Sequence, residues 1–134
     1  MVCLDTTFLI DWLRGSERAK RKYTELLEAS TDGLRQLSTS IISVYELEKG
    51  ARLSKNPTKD LKVVRDLLSE LVILELDMPS VNLSSELYSE LSSKGKLVGE
   101  FDIFIAATCI ANGETLSTND RDFDQIAKLT KLHY

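Results

Sequence analysis

Short apolar runs alternate with stretches of helical periodicity along the whole chain, and this rhythm leaves few architectures open. Strands separated by helices run parallel, because a right-handed crossover returns the chain in the direction it left. The rhythm therefore predicts an α/β fold: a three-layer α/β/α sandwich around a four- to five-stranded, mostly parallel sheet. Residues 2–5 read as the first buried strand, with further strands at 36–39, 72–76 and 115–118 and a final edge strand at 129–134. Helices are predicted over 7–14, 17–30, 41–53, 59–71, 80–94 and 101–111, with a short last one over 122–128. Gly15, Thr31-Asp32-Gly33, Asn56-Pro57 and Asn112-Gly113 punctuate them; Thr58 reads as one helix cap and Ser40 or Ser43 as another.

The chain has 134 residues, a length that fits one domain spanning 1–134. Its two cysteines, Cys3 and Cys109, sit in apolar contexts and read as buried thiols, not as a disulfide framework or a zinc site. The one histidine, His133, leaves no partner for catalytic schemes built on a central imidazole. The first residues carry Asp5 and Asp11 within their apolar run, which suits a signal peptide poorly. The longest nearly apolar run, 103–111, is far too short for a bilayer. A cytoplasmic location is expected.

Charge is uneven. Residues 1–69 hold 12 basic and 10 acidic side chains, whereas residues 70–134 hold 5 and 11. Ordinary solvated helix faces explain the basic stretches 14–22 and 49–65 taken alone, although a basic rim beside an acidic site also suits a metal-dependent nuclease.

The acids at strand ends carry the functional reading, because ligands of open parallel sheets bind beyond the carboxyl ends of the strands. Asp5 ends the first strand, and Asp120 follows the strand at 115–118. Asp102 falls in the first turn of the apolar helix, just after Gly99, which would allow close backbone approach. Glu46 lies in the helix that follows the second strand. Each has a bland explanation. Asp5 could cap the helix after it, and Asp102 could complement a helix dipole. Glu46 could close a capping box with Ser43, and Asp122, more naturally than Asp120, could cap the last helix. Asp11 and Glu48 read as solvent-facing. Together, however, a parallel sheet would gather acids that repel one another. With no nearby His or Cys, hard divalent cations with oxygen ligands, Mg²⁺ or Mn²⁺, are the natural compensating charge. Such ions activate a water and stabilise phosphoryl oxygens in phosphodiester hydrolysis.

Four segments in order, Leu4-Asp5-Thr6-Thr7-Phe8-Leu9-Ile10-Asp11, Ser40-Ile41-Ile42-Ser43-Val44-Tyr45-Glu46-Leu47 with Gly50, Phe101-Asp102-Ile103-Phe104-Ile105-Ala106-Ala107 and Leu116-Ser117-Thr118-Asn119-Asp120-Arg121-Asp122-Phe123, resemble the motifs of the PIN-domain family across essentially the whole chain. The length is similar to that of VapC-type toxins of toxin–antitoxin pairs. The resemblance implies a Mg²⁺- or Mn²⁺-dependent endoribonuclease acting on single-stranded or looped RNA. It implies Asp5, Glu46, Asp102 and Asp120 as catalytic acids, with Asp5, Asp102 and Asp120 holding metal and Asp122 as a substitute for Asp120. Thr6 and Thr118 would hold Asp5 by hydrogen bonds. A homodimer and a VapB-type antitoxin lying across the active-site groove are implied as well. Trp12, Tyr23 and Tyr45 could stack on bases, with core or helix-face packing the plainer expectation. The alternative from a different class is a catalytically silent PIN-like module that binds RNA or protein without cutting. A dehalogenase-type phosphatase would want Asp where Thr7 stands, and Lys94-Gly95-Lys96 lacks the rest of a P-loop.

Overall fold

The first strand, β1 (Val2–Leu4), is buried on both faces. Successive side chains of a strand alternate, so Cys3 enters a core on one side of the sheet and Leu4 a second core on the other. The computed structural model describes residues 1–30 and 36–134; the turn expected at Thr31-Asp32-Gly33 lies outside them. β2 (Ser38–Ser40), β3 (Val72–Leu74), β4 (Thr115–Ser117) and β5 (Lys131–Leu132) complete a five-stranded sheet in the order β3-β2-β1-β4-β5. Every pairing is parallel.

Among the described residues six helices cover this sheet. α1 (Thr6–Leu13), α2 (Glu17–Glu28), α3 (Ile41–Arg52) and α4 (Pro57–Leu68) supply the core around Leu4, with Phe8 and Leu9 fully buried. α5 (Met78–Ser93) and α6 (Glu100–Ala111) supply the core around Cys3, with Leu116, Ile105 and Phe123. Three layers result, as the apolar rhythm implied. Leaving β1, the chain first builds outward through β2 and β3, then returns to the other side of β1 for β4 and β5. The order reverses between β1 and β4, and the crevice at their carboxyl ends is the expected ligand position.

Several boundaries depart from the sequence expectation, each for a local reason. β2 is shifted to Ser38-Thr39-Ser40, a fully buried polar strand whose Thr39 hydroxyl donates to the Leu4 carbonyl at 2.8 Å. A central strand without apolar residues leaves no hydrophobic signal. α4 is capped by Asn56, not Thr58, with Pro57 in its first turn, where a missing N–H costs nothing. Asp77 caps α5, so that helix begins two residues before the expected start. The short last helix is only a 3₁₀ turn (Arg121–Gln125), and the edge strand shrinks to Lys131–Leu132. Gly113 takes φ 66° after α6, the left-handed geometry that Asn112-Gly113 foretold.

Leu4→Ala should cost about 2–5 kcal/mol in urea unfolding, because Leu4 is wholly buried beneath four helices. Leu53→Ala, at a position 80% exposed, should stay within about 0.5 kcal/mol.

Candidate active site

Asp5 directly follows β1, and its backbone N–H still reaches the Ser117 carbonyl of β4 at 3.3 Å. One carboxylate oxygen caps α1, accepting from the Phe8 N–H at 2.8 Å. The other accepts from the Thr118 hydroxyl. The capping role and the site position therefore coexist in one side chain. Burial pushes the Asp5 carboxyl up to about 6, against the pull of the Thr118 and Phe8 hydrogen bonds, and the charges of Asp120 and Asp102 push it further.

Thr118 follows β4 and ties two acids together. Its hydroxyl, besides donating to Asp5, accepts the Asp120 N–H at 3.0 Å, while its own N–H bonds Leu132 at 2.9 Å. Asp120 is the cap of the 3₁₀ turn, accepting from the Asp122 N–H at 2.9 Å. The capping residue is thus Asp120, contrary to the expectation that Asp122 would fill that place. A single 3₁₀ turn, capped from two residues upstream, explains the shift.

Asp102 stands half-buried in the first turn of α6. Its carboxylate, with those of Asp120 and Asp122, offers oxygen atoms that all lie within 4.8 Å of one another. Burial first, then the charges of Asp120, Glu46 and Asp122, raise the Asp102 pKa to about 6. Gly99 caps α6 with φ −59°, open to any residue, and a Cβ there would meet only the Asp102 carboxylate at 3.8 Å. No other part of the described chain comes closer to that position.

Glu46 sits half-buried on α3, whose cap is Ser40, accepting from the Ser43 N–H at 3.1 Å; the capping-box explanation falls. Instead Glu46 accepts from the Thr6 hydroxyl at 2.8 Å, and Thr6 also shares a hydrogen bond with the Ser43 hydroxyl at 2.9 Å. Thr6 thus holds Glu46, whereas Thr118 alone of the two expected threonines holds Asp5. α1 turns Thr6 away from the Asp5 carboxylate and towards α3, which a linear motif could not show.

Two features escaped sequence reasoning. Asn119 bonds the Tyr134 backbone twice, at 2.8 and 3.0 Å, and the Tyr134 hydroxyl donates to Asp11 at 2.6 Å while its ring packs on Phe8 at 4.5 Å. Asp11 is therefore half-buried and engaged, and the strap pins the segment that carries Asp120. Glu48, likewise, pairs with Arg65 at 3.0 Å. Trp12 and Tyr23 pack on each other, but Tyr45 is exposed.

Among the described residues no ion pair reaches Asp5, Asp102, Asp120 or Asp122. An all-oxygen donor set with uncompensated negative charge fits a hard divalent cation such as Mg²⁺ or Mn²⁺ and lacks the His and Cys donors of most zinc sites. It could hold such an ion and present a phosphodiester to it.

Two outcomes are expected in metal-free buffer. Asp102 titrates near 3.8 when unfolded but near 6 in the native chain, so its contribution to stability is full below about pH 4 and lost as pH rises through 6. Melting temperatures in EDTA should show Asp102→Asn gaining on the wild type as pH rises from 4 to 7. Thr118→Val, which leaves a buried Asp5 oxygen without its donor, should cost about 1–3 kcal/mol in chemical unfolding.

The sequence pattern of the PIN domain matches residues 2–129. Ribonuclease VapC2 of Haemophilus influenzae is 35% identical over 111 residues, 82% of this chain and 84% of that protein. The tRNA(fMet)-specific endonuclease VapC of Shigella flexneri is 26% identical over 127 residues, 94% of this chain and 92% of that one. Among solved structures, VapBC2 from Rickettsia felis bound to a promoter DNA fragment matches with TM-score 0.90 at 25% identity, covering 100% of this chain and 99% of its counterpart. DNA-bound VapBC from Salmonella typhimurium matches with TM-score 0.87 at 26% identity, covering 99% and 98%. With the parallel sheet, the acids at the β1/β4 switch point and these matches in agreement, the chain belongs to the PIN domain family, alongside VapC ribonucleases.

Proposed function

We propose that this chain, as one domain over 1–134, is the endoribonuclease toxin of a VapBC-type toxin–antitoxin pair. The carrying observation is the unpaired carboxylate cluster of Asp102, Asp120 and Asp122 beside buried Asp5. In this reading Asp5, Asp102 and Asp120 hold Mg²⁺ or Mn²⁺, Glu46 is the fourth catalytic acid and Asp122 supports the set. The bound cation supplies a water of lowered pKa and positive charge for the phosphoryl oxygens of RNA. The protein's own contribution is placement. Thr118 fixes Asp5 and the Asp120 backbone, Thr6 fixes Glu46, and the two raised carboxyl pKa values make the site ready to exchange protons for a cation.

Partners follow from the relatives. Their solved structures are VapBC complexes, which supports a VapB-type antitoxin for this chain. A groove of about 380 Å³ runs from Glu46 between α1, α3 and α4, lined by Ile10, Leu13, Leu47 and Val63 with Arg14 at its edge. An amphipathic antitoxin segment would fit there. A homodimer is proposed on family grounds. No helix of the described residues is long and apolar enough to cross a membrane, which is compatible with the cytoplasm as the place of action.

The experiment is cleavage of a labelled RNA with structured and single-stranded regions in EDTA, Mg²⁺ or Mn²⁺. The wild type should cut only with metal. Asp5→Asn, whose amide oxygen still caps α1, should fold and lose at least about 100-fold in rate, as expected when charge stabilisation at a reacting phosphate is removed. A folded Asp5→Asn that cuts normally would refute the assignment, and RNA binding without cutting by the wild type would favour a silent binding module. Millimolar Mn²⁺ should also raise the wild-type melting temperature by mass action, and that rise should vanish in Asp102→Asn.

A further inference from the structure

Tyr45 and Phe101 are 52% and 40% exposed, yet their rings meet edge to face, with centroids 5.6 Å apart and planes at 81°. They belong to different helices, α3 and α6, and each directly precedes a site acid: Tyr45 before Glu46, Phe101 before Asp102. Exposed Lys49, one turn along α3, places its ammonium 5.2 Å from the Tyr45 ring centroid and 6.0 Å from that of Phe101. Two exposed rings gain little by burial against each other alone, so much of their flat surface stays available to a third planar group.

The site itself poses a problem that this cluster answers. Five acids at one crevice repel a phosphodiester, and a cation neutralises them only in part. Affinity for a nucleic-acid strand must then come from contacts that do not depend on the acids. Base–aromatic stacking is such a contact, insensitive to backbone charge, and a cation over the rings strengthens it and reaches a neighbouring phosphate. We propose that Tyr45, Phe101 and Lys49 form a stacking platform for an unpaired nucleobase next to the scissile phosphate of single-stranded RNA. The proposal rests on the nuclease reading above and adds where the strand is gripped. It also gives the site a reason to act on unpaired segments, since a base inside a duplex cannot reach the rings.

The test uses fluorescein-labelled ten-nucleotide oligoadenylate and oligouridylate, measured by anisotropy in the Asp5→Asn chain, alongside cleavage kinetics in the wild-type chain. Tyr45→Leu and Phe101→Leu should each weaken oligoadenylate binding about 5- to 150-fold and flatten any preference for adenine over uracil. Tyr45→Phe should restore binding to within about twofold. In cleavage, the leucine variants should raise KM more than they lower kcat. Unchanged binding in both leucine variants overturns the platform, as does a parent chain that binds neither oligomer. A shift in sedimentation caused by Tyr45→Leu, with RNA binding intact, would also overturn it and assign the patch to a second copy of the chain. The two readings fail separately: metal-dependent cutting at an unchanged KM sinks the platform alone, whereas ring-dependent RNA binding with no cutting under any metal sinks the nuclease alone.

Discussion

One carboxylate joins three elements at the centre of the molecule. Asp5 follows β1, caps α1 through one oxygen and receives the Thr118 hydroxyl after β4 through the other. These contacts close the β1/β4 crevice at the place where the strand order reverses. They also set the positions of Asp120 and Asp122, because Thr118 holds the Asp120 backbone and Asp120 in turn holds that of Asp122. A site built from strand ends needs such a knot: each strand supplies only one residue at its tip, and the tips must be registered against one another. Here the register of Leu4 opposite Ser117 does this, extended one residue by the Asp5 N–H.

The same arrangement stores electrostatic cost. Asp5 and Asp102 both titrate near 6, each mainly through burial and then through the other acids. Elsewhere, acids relax in the ordinary direction: Asp77, bonded by Ser80, and Asp124, bonded by Lys131, are held below the usual range. Raised values at the crevice and lowered ones outside it mark the crevice as the place where the fold forgoes compensation. Perturbation of this kind concentrates at functional sites. The cost is tolerable because two full cores, one on each face of the sheet, stabilise the scaffold independently of the crevice.

Much of this was legible in the linear sequence. Alternating apolar runs and helical periods give the parallel three-layer fold, and acids after Leu4 and beyond Ser117 lie at strand ends by counting alone. The bounds of the strand Ser38-Thr39-Ser40 were not legible, because its burial rests on hydroxyl bonding instead of hydrophobic pattern. Nor was the exchange of partners at Thr6, whose side chain reaches Glu46 because α1 and α3 pack together. The sequence also could not show that the 3₁₀ turn brings the carboxylates of both Asp120 and Asp122 close to Asp102. Tyr45 and Phe101 are far apart in sequence and meet only because α3 and α6 converge beside the crevice.

If this crevice trades protons for a divalent cation, calorimetric titration with Mn²⁺ at a series of pH values, in two buffers of different ionisation enthalpy, will register the exchange. Binding should release protons, about half a proton from each of Asp5 and Asp102 at pH 6, more at pH 5 and little by pH 8, where both are already ionised. Binding that releases no protons at pH 6, or that persists unchanged in Asp102→Asn, would rule out this exchange.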